Sequence, residues 1–194
     1  MNVGIYIYDD AEVLDFSGPF EVFSVASRFL EEKEKFNVFL ISEKEPTIKA
    51  RGNYKINSHY TFENVPQTDV LIIVGGIHTE EVKKTSVINW IKKQSQNAKI
   101  VASVCTGAFL LAQAEIITNH TVTTHWEDIA DLKKDYPTLN VVENVRWVDE
   151  GNILTSAGIS AGIDMSLHLV SKIKDLELAN KTAKQMQFDW EKNN

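Results

Sequence analysis

The stretch KIVASVCTGAFLLAQA, Lys99 to Ala114, decides the fold. Ile100, Val101, Ala102, Ser103 and Val104 read as a buried strand, Cys105 follows at once, and Thr106-Gly107 opens an apolar helix. On such an elbow the side chain is pushed out of the sheet, while the backbone N–H groups of the next turn point at whatever it attacks. The small residues Ser103 and Gly107 permit the tight turn. Cys105 is the only cysteine in 194 residues. A free thiol titrates near ~8.5 and a helix N-terminus lowers that value, which favours a thiolate at neutral pH here. The competing reading is a buried structural cysteine, because cysteine is among the most buried residue types.

Outward from this elbow, apolar runs of strand length alternate with helix-period stretches, the pattern of an α/β domain around a mainly parallel sheet. The pattern predicts strands at Val3–Tyr8, Phe36–Ile41, Asp69–Val74, Val122–Trp126, Val141–Glu143, Arg146–Asp149 and Ile153–Ser156. Residues 46 to 64, with Pro46, Gly52 and short alternating pieces, read as a hairpin or small side sheet. Helices are expected from Pro19, suited to a first turn, to about Glu31, and over Ser86–Asn97, Thr106–Ala114 and Glu127–Lys134. Two more follow, an apolar helix introduced by Gly158, Ser160 and Gly162 that runs through Lys172, and an amphipathic one over Leu176–Trp190. No repeat, low-complexity segment or linker divides the chain, so one domain over 1–194 is expected.

Composition narrows the function. A hydrophobic content of 43% supports an ordinary core. The net charge of −7 and the lack of a lysine and arginine cluster argue against a nucleic-acid surface. No apolar run approaches the ~20 residues of a membrane span, and the start Met1-Asn2-Val3-Gly4-Ile5 runs straight into a strand without a basic leader. A cytoplasmic setting and no membrane partner are therefore expected. One cysteine and no zinc-type histidine spacing leave no metal site to propose; the glycine clusters lack the lysine of a phosphate loop, and no cofactor is implied.

In open α/β sheets ligands bind beyond the carboxyl ends of the strands. Three such places carry unusual residues: Asp15 after the first strand, Gly75-Gly76 after the strand at 69–74, and Cys105-Thr106. If those strands are neighbours, the Asp15 carboxyl can bond the Cys105 sulfur, and the N–H groups of Gly76 and Thr106 can stabilise developing negative charge. The competing readings are an N-cap for Asp15, although Ser17 is the better cap, and a plain strand-ending turn for Gly75-Gly76. Glu21 is either a solvated carboxylate or a second acid near the pocket. Of five histidines, His125 at a strand end reaches the cleft; His168 fits a core position, His59 and His120 fit exposed loops, and His78 lies near the cleft mouth.

The motifs Leu14-Asp15-Phe16-Ser17-Gly18-Pro19-Phe20-Glu21-Val22-Phe23, Gly75-Gly76, Ser103-Val104-Cys105-Thr106-Gly107, Thr123-Thr124-His125-Trp126 and Thr155 to Asp164 resemble the ThiJ/PfpI superfamily. The resemblance is specifically to its isonitrile hydratase branch and covers nearly the whole chain. It implies a flavodoxin-like three-layer sandwich, commonly a homodimer, with Cys105 as nucleophile, Asp15 beside it, and Gly76 and Thr106 as donors. It implies a small-molecule substrate, an isonitrile hydrated to an N-substituted formamide. Two alternatives stand beside it: rearrangement of methylglyoxal to lactate through a hemithioacetal, with His125 or Glu21 as proton shuttle, and a non-catalytic sensor or ligand-binding module whose cysteine is oxidised to a sulfinate. Proteases of the superfamily place a histidine directly after the cysteine, so Thr106 argues against peptide hydrolysis. Related domains also occur in transcriptional regulators that append a helix-turn-helix segment; none is read after Asn194.

Overall fold

A computed structural model describes residues 1–193. The elements in chain order are β1 (Asn2–Tyr6), α1 (Val13–Ser27), β2 (Asn37–Ser42), β3 (Thr47–Ala50), β4 (Tyr54–Asn57), β5 (Tyr60–Thr61), β6 (Val70–Ile73), α2 (Thr85–Ser95), β7 (Ile100–Val104) and α3 (Gly107–Gln113). There follow β8 (Thr121–Val122), α4 (Ile129–Asp135), β9 (Asn140–Val141), β10 (Trp147–Asp149), β11 (Ile153–Ser156), α5 (Ala161–Ile173) and α6 (Leu176–Gln185). The central sheet has the order β10-β11-β7-β6-β1-β2-β5 and is parallel except for β10. All four residues of β6 are buried, as expected for a strand covered on both faces.

The chain leaves β1 in one direction to pair with β2 and later returns to β1's other side through β6 and β7. Because crossovers are right-handed, this reversal sends α1 and α2 to opposite faces. Helices α1, α5 and α6 pack together on one side, and α2 packs with α3 on the other. The sequence-predicted α/β, flavodoxin-like three-layer sandwich is the observed fold. The direction change falls between β1 and β6, the place where such sheets open a crevice for ligands.

Several boundaries differ for identifiable reasons. Helix α1 starts at Val13, ahead of Pro19, which sits in the second turn. The entry is set by contacts to the β6 end: Glu12 N–H donates to the Gly75 carbonyl at 2.9 Å, and Ala11 bridges Gly76. Ser17 is inside the helix and returns its hydroxyl to the Val13 carbonyl at 2.8 Å, so it is not a cap. The strand expected over Val122–Trp126 stops at Val122, because Thr123 N–H is taken by Thr155 Oγ1 at 2.9 Å and Thr124 Oγ1 donates to the Cys105 carbonyl at 2.8 Å. Residues 46–64 form the expected hairpin, β3 with β4, followed by the short edge strand β5. The last helix ends at Gln185, short of Trp190, whose indole instead donates to the Asp164 carbonyl at 3.2 Å.

Among the described residues no helix is long and apolar enough to cross a membrane.

Candidate active site

Strand β7 delivers Cys105 at φ 54°, the left-handed region that costs an L-residue on the order of 1–3 kcal/mol. The surroundings hold it there: Cys105 N–H donates to the Ser156 carbonyl of the neighbouring β11 at 3.2 Å, and its carbonyl accepts from Thr124. The turn lifts the sulfur off the end of the sheet. Cys105 is 6% exposed and opens into a cleft of about 260 Å³ lined by Glu12, Arg51, Gly76, Thr106, His125, Glu127, Asp128 and Ile159.

Asp15 reaches the sulfur from the first turn of α1. It is fully buried, and Oδ2 accepts from Gly75 N–H at 3.0 Å, while Oδ1 has no hydrogen-bond partner of regular geometry among the described residues. Burial raises its pKa to about 8, with Glu12 adding to the rise and the Gly75 N–H and the Cys105 thiol opposing it. The carboxyl is therefore predominantly protonated at neutral pH. Only glycine fits at position 75: a Cβ there would stand 2.5 Å from the Thr106 nitrogen and 2.9 Å from Asp15 Oδ2.

The thiolate expectation is corrected. Burial and the neighbouring Asp15 push the Cys105 thiol well above its ordinary range, and the opposing N–H groups of Thr106 and Ile159 do not offset them. The two groups share an enclosed space and titrate as a pair.

Other expected donors sort differently. Thr106 is 4% exposed; its hydroxyl donates to the Gly76 carbonyl and accepts the Gly76 N–H, each at 3.0 Å. Gly76 N–H is thus already committed and not free for substrate, a correction to its role as a donor. Glu21 lies on the outward face of α1, its side chain 54% exposed and 3.4 Å from Arg28, so it takes no part in the cleft. His125 does line the cleft, with Nδ1 3.3 Å from Asp128 and 3.7 Å from Glu127. His78 stacks on Phe109 instead of lining the cleft, and His168 is held by Asp149 at 2.7 Å. Sequence reasoning missed Ile159, Glu12, Arg51, Glu127 and Asp128, which reach the cleft from loops and from the β3–β4 hairpin connection. Only the placement of Ile159 within the Thr155–Asp164 motif carried a signal.

Residues 1–172 match the DJ-1/PfpI family along their whole length. The chain belongs to this family. Within it, the chain is 27% identical over 190 residues to the isonitrile hydratase of Pseudomonas putida, covering 97% of this chain and 78% of that one. It is 28% identical over 173 residues to the HTH-type transcriptional regulator CdhR of Pseudomonas aeruginosa, covering 89% of this chain but 51% of the regulator. The chain thus spans about half the length of that relative. A ThiJ/PfpI family protein from Pseudomonas syringae superposes with a TM-score of 0.86 at 20% identity, over 100% of this chain and 77% of the other, a likeness of fold. The DJ-1/PfpI family thus includes both enzymes and regulators, and which of these this chain is depends on what the Cys105 cleft does.

Proposed function

We propose that this member of the DJ-1/PfpI family is a cytoplasmic, cysteine-dependent enzyme that hydrates an isonitrile to an N-substituted formamide, working as a homodimer. The observation that carries the reading is Asp15, buried, protonated near neutrality and adjoining the only thiol at the floor of one cleft. Isonitrile hydration needs a nucleophile and a proton delivered to the same carbon, and this pair carries both.

The reactive form is the pair with a single transferable proton. As the sulfur of Cys105 bonds to the terminal carbon, the proton held by Asp15 passes to that carbon, giving a thioimidate with a C–H bond and no carbanion. The ionised Asp15 then takes a proton from water as the hydroxyl adds to the carbon, and returns it to nitrogen. Collapse of the tetrahedral adduct breaks the C–S bond, the hydroxyl proton returns to the pair, and the formamide leaves. One water is consumed in all. The N–H groups of Thr106 and Ile159 hold the sulfur where it attacks and stabilise it as it departs. Thr106 bonds both polar groups of Gly76 and keeps the β6 and β7 ends in register.

The test is turnover of cyclohexyl isocyanide to the formamide by purified protein, with Cys105→Ala as control. Turnover lost in the variant supports the reading; no turnover by the native protein sinks it. The charged rim of Glu12, Arg51, Glu127 and Asp128 favours a second reading, a polar 2-oxoaldehyde attacked by the same sulfur with His125 as shuttle. Lactate formed from methylglyoxal distinguishes it. With neither product, and a stable addition of two oxygens at Cys105 after mild peroxide, the chain is a sensor or binding module.

A further inference from the structure

The loop between β11 and α5 carries Ile159, which lines the cleft beside Cys105; the Ile159 N–H favours the sulfur anion, and its own backbone is left-handed at φ 48°. A strained loop keeps such a donor in place only if both of its ends are held. Arg146 holds both. Its carbonyl accepts from Ala157 N–H at 2.9 Å, and its guanidinium donates to Ser160 Oγ at 3.2 Å, so one residue brackets the loop on either side of Ile159. On the inner side, Gly158 lies so close against the His125 ring that no Cβ would fit.

Arg146 is in turn fixed by a second set of contacts. Its Nε donates to Asp164 Oδ2 at 2.8 Å, its Nη2 reaches the same oxygen, and Asp164 is fully buried. The chain after α6 closes over this pair. Glu191 N–H donates to Asp164 Oδ1 at 2.9 Å, Trp190 Nε1 donates to the Asp164 carbonyl at 3.2 Å, and Asn193 accepts from Arg146 N–H at 3.2 Å while donating to the Trp147 carbonyl. Both carboxylate oxygens and the carbonyl of Asp164 thereby have a partner, from Arg146 or from the tail. An ion pair with one partner fully buried is poor evidence for stability, and what this one does is fix the direction of the guanidinium.

We infer that Arg146 is a positioning residue for the Cys105 sulfur, holding the Ile159 donor on it through the Ala157–Ser160 loop, and that residues 190–193 are the latch that sets Arg146. The inference rests on Cys105 being the reacting group of the proposed function.

The test is the pH dependence of Cys105 alkylation by iodoacetamide in the full chain, which requires no substrate and so remains decisive if isonitrile is not turned over. The groups that face the sulfur, Asp15, Tyr8, Asp128 and His125, are left unchanged in every variant. Ser160→Ala removes only one end of the bracket and Asn193→Ala only the latch; both are expected to fold normally and to lower the alkylation rate about threefold or more at every pH, as a sulfur anion losing a hydrogen-bond donor does. Arg146→Lys keeps a cation for Asp164 but lacks the planar fork that also spans Ser160. It is expected to restore the thermal midpoint without restoring the alkylation profile. Should Arg146→Gln fail to fold for want of a partner for Asp164, the Arg146→Gln/Asp164→Asn double variant removes that buried charge and is read the same way. Profiles that coincide with the native protein in Ser160→Ala and Arg146→Lys would overturn the inference and leave Arg146 a purely structural residue.

Discussion

The floor and the rim of the Cys105 cleft are built in opposite ways. The floor is Cys105 just past β7, backed by Gly75 after β6 and Asp15 in the first turn of α1, all buried, with Cys105 N–H on the Ser156 carbonyl and Gly75 N–H on the Asp15 carboxyl. The rim is made by side chains from other places, Arg51 between β3 and β4, Glu12 ahead of α1, and His125, Glu127 and Asp128 beyond β8. Arg51 is 48% exposed and meets Glu12 at 3.7 Å, a solvent-screened pair of small energetic weight. Burial therefore gives Asp15 and Cys105 their altered acidities, whereas the rim side chains reach solvent. On the proposed function, reaction type belongs to the floor, and choice of substrate to the rim.

Breaking the floor should have the largest effects. Cys105→Ala removes the bond-forming atom, so turnover of cyclohexyl isocyanide should vanish, on the order of 10³-fold or more, with little change in thermal midpoint. Asp15→Asn retains the size and the Gly75 contact but holds no transferable proton, and kcat should drop about 10²-fold or more. The same variant tests the burial argument by stability. The native carboxyl is bound to its proton up to about 8, while an unfolded one ionises near ~4, so the native protein takes up protons that the unfolded chain releases across that window. Its stability is full below about 4 and declines as pH rises through about 8; denaturation midpoints of Asp15→Asn should be flat over this range. A native protein equally stable at both ends would contradict the buried acid.

Turnover carries the complementary signature. Because the reactive pair has one proton fewer than the resting pair, kcat/KM should climb about tenfold per pH unit below about 8 and level off above it, and the break near 8 should disappear in Asp15→Asn. A flat profile in the native protein would place the proton elsewhere. Changes on the rim should be smaller and of another kind. Arg51→Ala should alter KM several-fold with kcat nearly unchanged, and should shift the preference between an alkyl isonitrile and methylglyoxal; an equal loss in kcat would erase the distinction between floor and rim. Smallest of all, Glu21→Gln should stay within about twofold in every constant, since that carboxylate points into solvent beside Arg28.

Much of this was legible in the residues because local pattern and tertiary placement agree. The parallel sheet could be read from apolar runs with strand lengths, and the elbow from a strand that meets a helix with one cysteine between them. The three loops that supply Asp15, Gly75 and Cys105 could be named because ligand crevices of such sheets follow strand ends. The helix at 13–27 was read too late, since Pro19 is a first-turn signal locally, and only the contact of Glu12 with Gly75 reveals that the helix has already begun. His125 could be selected from among five histidines because it follows β8, although that strand ends at Val122, short of the Trp126 expected; that Glu21 faces away depended on which side of α1 meets α5.

What the sequence alone determines is the order of strands and helices, the one thiol, and the short list of groups that follow strand ends. Those properties depend on neighbours within a few residues, where side-chain period and turn chemistry act directly. The tertiary structure decided which N–H groups are spent on the protein itself, as with Gly76, which carboxyl is stripped of water, as with Asp15, and that a tail at 190–193 meets Arg146. Desolvation and hydrogen-bond competition depend on atoms brought together from distant parts of the chain, so acidity and donor availability exist only once the fold has closed.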